Sequence, residues 1–134
     1  MCGLAGVWGT VDEDVVRRMM DVLIHRGPDD SGTFLAKKIG VLGHRRLSIM
    51  DPVGGRQPLE LMANEGAIVA NGEIYNNSQL RVELSGRHRF RTRSDSESAL
   101  HMYREAHVDA AEQLDGMFAF AIADGEDLYL ARDP

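Results

Sequence analysis

The only cysteine in the chain is residue 2, so removal of Met1 would leave one residue bearing both a thiol and a free α-amine. A thiol is the most nucleophilic common side chain, and an α-amine of pKa roughly 7.7–8.0 is neutral enough near pH 7 to accept a proton. Cys2 could therefore be nucleophile and base in one. A lone cysteine is also a common small buried residue, but Leu4, Ala5, Val7 and Trp8 would draw this terminus into a sheet and hold it there.

Three further clusters carry groups that could serve such a nucleophile. In Gly43-His44-Arg45-Arg46, two adjacent arginines on an extended segment point to opposite faces, so one could turn inward and grip a carboxylate with its planar fork. A solvated arginine pair is the plainer alternative. Asn71-Gly72 lies between apolar runs, the strongest short-range hairpin signal, yet the same pair could offer a side-chain amide and a backbone N–H to a developing oxyanion. Ser94-Asp95-Ser96-Glu97 has the form of a helix start, and its carboxylates could also hold a substrate ammonium. His25 to Gly32 reads locally as a helix stop followed by a polar loop.

The elements that must position these groups follow from pattern and punctuation. Thr10 with Glu13 forms a capping box, and Val15, Val16, Met19, Met20 and Leu23 mark one face of a helix over 11–25 that Gly27 and Pro28 stop. Short strands are predicted at 34–36, 39–42 and 47–50, a loop over 51–65, and a buried strand at 67–70. Helices follow near Asn77 with Leu80 and Leu84, and after Ser94 with Leu100 and Tyr103, then a short one ending at Gly116. Residues 117–123 and 128–131 form a hairpin turning through Asp124 to Asp127. Helices interleaved with hairpins predict an α+β domain with mainly antiparallel sheets.

Composition narrows the partners. The chain has 134 residues, 43% of them hydrophobic, which suits one domain with a real core. A net charge of -6 argues against a nucleic-acid or anionic-membrane surface. Five scattered histidines without an H-x-x-x-H pair or a second cysteine predict no metal site. A single thiol and no leader-like apolar stretch predict a cytoplasmic protein.

Taken in order, residues 1–6 (MCGLAG), 25–32 (HRGPDDSG), 43–51 (GHRRLSIMD), 71–76 (NGEIYN), 92–97 (TRSDSE) and 115–124 (DGMFAFAIAD) resemble class II glutamine amidotransferases. Pro28-Asp29 and the block from Asn71 to Asn76 are similar to the asparagine synthetase (glutamine-hydrolysing) type within them. The resemblance implies an Ntn-hydrolase αββα sandwich, two mainly antiparallel sheets between helical layers, with residues 1–134 an incomplete N-terminal part of a longer chain. It implies Cys2 as nucleophile, Asn71 and Gly72 as the oxyanion hole, Arg46 on the α-carboxylate of glutamine, Asp95 on its α-ammonium, and Glu73 lining the pocket. It also implies ammonia transfer to an ATP- and Mg-dependent synthetase domain that these residues do not contain, with a homo-oligomer left open. An Ntn-like module that binds an amino acid or a partner without turnover is the alternative.

Overall fold

The computed structural model describes residues 1–62 and 65–134. The apolar N-terminal run does enter a sheet: β1 (Gly3–Trp8) pairs antiparallel with β3 (Gly40–Arg46), which pairs on its other side with β2 (Asp30–Ala36). A second antiparallel sheet runs in the order β4 (Leu59–Glu60), β5 (Gly66–Ile74), β6 (Gly116–Asp124), β7 (Asp127–Arg132). Three helices complete the fold: α1 (Glu13–Val22), α2 (Asn77–Leu84) and α3 (Asp95–Ala106), the last running into a 3₁₀ segment at His107–Gln113.

Period-two alternation builds four layers. Along β1, Ala5 and Val7 pack beneath α1 with Val16, Met20 and Val41, whereas Leu4 and Trp8 point the other way. Those two join Phe34, Ala36 and Leu42 of the first sheet and Ala67, Val69, Ala121 and Ala123 of the second in the layer between the sheets. Ile68, Ala70, Phe118, Phe120 and Ile122 face outward from the second sheet onto Leu80, Leu84, Leu100 and Tyr103 of α2 and α3. The result is the αββα sandwich expected. No described helix is long and apolar enough to cross a membrane.

Several boundaries differ from expectation for identifiable reasons. Asp12, not Thr10, caps α1 by accepting from the Val15 N–H at 2.9 Å, and Glu13 and Asp14 then sit at the positive end of the helix. Residues 23–26 form turns beyond α1 instead of extending it. The expected loop at 29–32 is already strand from Asp30, held to the end of β3 by its Arg46 pairing. The strand expected at 47–50 is irregular chain, because the carbonyls of Met50, Asp51 and Pro52 curl back onto the Arg46 guanidinium. The loop over 51–65 includes the two-residue strand β4, while its positions 63 and 64 lie outside the described residues. Asn71-Gly72 is no turn but the interior of the nine-residue strand β5. The hairpin at Asp124 to Asp127 forms as expected.

Candidate active site

Strand pairing alone brings the thiol and an arginine together. Gly3 pairs with Arg45, so Cys2 lies beside Arg46 and Leu47 at the end of the same ladder. The Cys2 Sγ accepts from the Leu47 N–H at 3.4 Å, and the Cys2 carbonyl accepts from Arg26 Nε at 3.1 Å. The segment 26–29 is itself latched onto β3: Arg45 Nε donates to the Gly27 carbonyl at 3.0 Å, and the Asp29 N–H to the Arg46 carbonyl at 3.0 Å. Asp29 Oδ2 also accepts from the Ser48 N–H at 2.8 Å. A loop that reads locally as a helix stop thus clamps the strand that presents the thiol.

Arg46 is the inward member of the arginine pair, 4% exposed. Its two terminal nitrogens donate to the Pro52 carbonyl at 3.0 Å, the Met50 carbonyl at 3.0 Å and the Asp51 carbonyl at 2.6 Å. Those carbonyls orient the head without neutralising it, and no carboxylate among the described residues forms an ion pair with it. A buried guanidinium held this way retains an unmet demand for an anion.

On the opposite side, the first turn of α3 is buried although every residue in it is polar. Each finds a partner, as burial requires. Asp95 Oδ2 accepts from the Ile74 N–H at 2.7 Å, Ser96 Oγ from Gln57 Nε2 at 3.4 Å, and Ser98 Oγ donates to Asn77 Oδ1 at 2.6 Å. Glu97 takes the N–H groups of Arg91 at 2.8 Å and Thr92 at 2.7 Å. Burial pushes the Glu97 pKa up, but the His101 ring beside it and these donors together bring it down to about 2, so Glu97 is a structural anion. Asp95 keeps a second oxygen that accepts no hydrogen bond from the described residues.

The edge of β5 facing these groups is unusual. Beyond β4 no strand among the described residues continues the ladder, and side chains replace it: Gln57 Oε1 accepts from the Ala70 N–H at 2.6 Å, His44 Nε2 lies 3.0 Å from the Ala70 carbonyl, and Asp95 takes the Ile74 N–H. Residues 70, 72 and 74 share this edge by strand periodicity. Gly72 lies between two anchored positions, with φ +133 and no room for a Cβ against the Met117 carbonyl. His44 is fully buried, and burial drives its pKa down to about 4 despite the bond to Ala70, so the ring is neutral at pH 7.

Cys2, Arg46, Asn71, Gly72, Glu73 and Asp95, the six residues singled out from the sequence, all line one cavity of about 210 Å³, together with Met1, Leu47, Ile49, Met50, Gln57 and Ser96. A larger apolar cleft of about 520 Å³ lies elsewhere between β1 and β7, lined by residues such as Leu4, Trp8, Phe120 and Leu128, and it holds none of the six. Sequence reasoning missed Arg26, His44 and Gln57. Only the position of His44 two residues before Arg46, on the same strand face, hinted at its role.

A two-sheet sandwich that seats a thiol at residue 2, beside an inward arginine and a glycine-edged strand, has the architecture of an Ntn amidotransferase. The chain belongs to the glutamine amidotransferase domain family, whose model matches residues 1–134. It is 44% identical over 144 residues to asparagine synthetase [glutamine-hydrolyzing] 1 of Bacillus subtilis, covering 100% of this chain and 23% of that protein. Asparagine synthetase B [glutamine-hydrolyzing] of Escherichia coli is 40% identical over 136 residues, covering 97% and 24%. The chain therefore spans about a quarter of the length of these relatives. The glutamine phosphoribosylpyrophosphate amidotransferase from B. subtilis superposes with a TM-score of 0.80 over 100% of this chain and 37% of that one, at 22% identity, a likeness of fold.

Proposed function

We propose that this chain is the glutaminase portion of a glutamine-dependent asparagine synthetase. The observation that carries the reading is the convergence of Cys2, Arg46, Asn71, Gly72, Glu73 and Asp95 on one cavity in a chain of this family. Glutamine is a zwitterion with an amide at its far end. Arg46 receives the α-carboxylate, Asp95 the α-ammonium, and Glu73 lines the pocket, so the amide carbon is delivered to the thiol.

The Cys2 Sγ attacks that carbon, and the carbonyl electrons move onto oxygen, where Asn71 Nδ2 and the Gly72 N–H stabilise the charge. The α-amine of Cys2, free once Met1 is removed, takes the thiol proton and passes it to the departing nitrogen, releasing ammonia and leaving a γ-glutamyl thioester. Water then adds to the thioester, the Sγ leaves, and glutamate forms. Met1 lines the same cavity, so its removal both frees the amine and opens space for substrate.

Ammonia would pass to an ATP- and Mg-dependent synthetase domain of a longer chain, which would transfer it to aspartate. The names of the relatives and the quarter of their length matched here support this reading. A cytoplasmic setting fits a chain whose one cysteine is a free thiol.

Intact mass of the purified chain, with and without a diazo-ketone analogue of glutamine, tests the proposal. Loss of Met1 and one adduct on Cys2, blocked by excess glutamine, is the expected result. A Met1-free chain that takes no adduct but binds glutamine would replace it with a binding module.

A further inference from the structure

Arg46 and Asp95 belong to different layers, one ending β3 of the first sheet and the other opening α3 against the second. No described hydrogen bond joins them, yet a zwitterion carries its two charges on one carbon and requires a fixed gap between cation and anion. Gln57 ties the Ala70 N–H to Ser96 Oγ, linking the oxyanion strand to α3 without reaching Arg46. The link that does reach it is Asp51.

The Asp51 carbonyl accepts from Arg46 Nη2 at 2.6 Å and from the Gly55 N–H at 2.9 Å. Its carboxylate accepts from the Gly54 N–H at 3.0 Å through Oδ1 and from the Arg93 N–H at 2.8 Å through Oδ2, and Arg93 precedes Asp95 by two residues. The backbone at Asp51 has φ +46, a conformation that asparagine and aspartate reach more readily than other side-chain-bearing residues and that these local bonds hold in place. Hydrogen bonds from Arg93 and Gly54 lower the Asp51 pKa, so it is an ionised acceptor at neutral pH. Asp51 is absent from the lining of the cavity and acts only through its neighbours.

We infer that Asp51 is the positioning residue that sets the separation of the two charged ends of the amino-acid clamp, bracing the Arg46 head against the segment that presents Asp95. The inference rests on the glutamine reading above. It makes Asp51 a determinant of specificity for substrates that carry both an α-carboxylate and an α-ammonium.

The test uses protection of Cys2 from iodoacetamide, with ammonia release, in the 134-residue chain and its Asp51→Ala and Asp51→Asn variants. In Asp51→Ala the half-protecting glutamine concentration and KM should rise about tenfold, with kcat within about twofold and the unprotected alkylation rate unchanged. Protection by 4-carbamoylbutanoate, which lacks the ammonium and so uses only one end of the clamp, should weaken by less than about threefold. Asp51→Asn preserves the shape and the backbone carbonyl and should fall between. Equal weakening for both ligands, or a glutamine KM within about twofold of the parent, overturns the inference. If Asp51→Ala does not fold, the same criterion applied to Asp51→Asn decides, with about threefold expected. A parent chain that glutamine does not protect would refute the glutaminase reading itself, and this inference with it.

Discussion

Among the described residues, four buried ones, Ala5, Val16, Met20 and Val41, form the cluster beneath α1, whereas fourteen form the cluster joining the second sheet to α2, α3 and the 3₁₀ segment. The thin side works by close approach: at Gly43 a Cβ would strike Met20 and Val16, so α1 lies almost on the backbone of β3. The thick side works by apolar volume, with Leu84, Leu100, Ile68 and Ile122 all at 1% exposure or less. The groups proposed to act on glutamine divide along the same line. Cys2 and Arg46 come from the thin half, and Asn71, Gly72 and Asp95 from the thick half, so the proposed nucleophile is carried by the lighter frame and its proposed charge-stabilising partners by the heavier one.

The largest effect expected from breaking this division is at the thiol. Cys2→Ala should lower ammonia release from glutamine by about 10³-fold or more while circular dichroism is unchanged, because the strand needs no side chain there. Full activity would reject the mechanism. On the heavier side, Gly72→Ala demands a side chain at φ +133 against the Met117 carbonyl, and displacing that N–H should cost about 10²-fold in kcat. A variant with normal kcat would remove Gly72 from the oxyanion hole.

Packing sharpens the contrast further. Leu84 and Val16 are both 0% exposed. Leu84→Ala should cost about 3 kcal/mol in urea unfolding, and Val16→Ala about half that, since it loses fewer carbons under a smaller cluster. Equal losses would mean that the two layers contribute alike.

An effect of similar size concerns the seam between the halves, where His44 of the first sheet meets Ala70 of the second. Its pKa is lowered from 6.5 to about 4, so the folded state favours the neutral ring. That contribution is complete above pH 6.5 and is lost as pH falls toward 4, by about 2 kcal/mol at pH 5. Urea midpoints at pH 7 and 5, compared with those of His44→Asn, would show it. Identical pH dependence in the two proteins would contradict the neutral buried ring.

What could be read from residues alone was what local pattern encodes. Strand parity placed Arg45 and Arg46 on opposite faces, Ser94 marked the start of α3, and the Asp124 to Asp127 turn was plain. Asn71-Gly72 misled as a hairpin signal because the pairing of β5 with β6 runs straight through it and uses the glycine for close approach instead. Residues 47–50 carry a strand's composition, but the neighbouring guanidinium draws the carbonyls of Met50 and of the following Asp51 and Pro52 into a curl, and Ile49 is left 78% exposed. The bonds that join the Ala70 N–H to Gln57 and the Arg93 N–H to Asp51 span 13 and 42 residues of sequence, and no local spacing signals them.

The ladder of β1 against β3 acts as a ruler. Neighbouring strands are held ~4.8 Å apart by backbone hydrogen bonds, whatever side chains they carry, so the interval between thiol and arginine is written in main-chain atoms. Side chains can change without altering it wherever no close approach, such as that at Gly43, excludes a Cβ. That is a physical route by which a superposition at a TM-score of 0.80 survives at 22% identity.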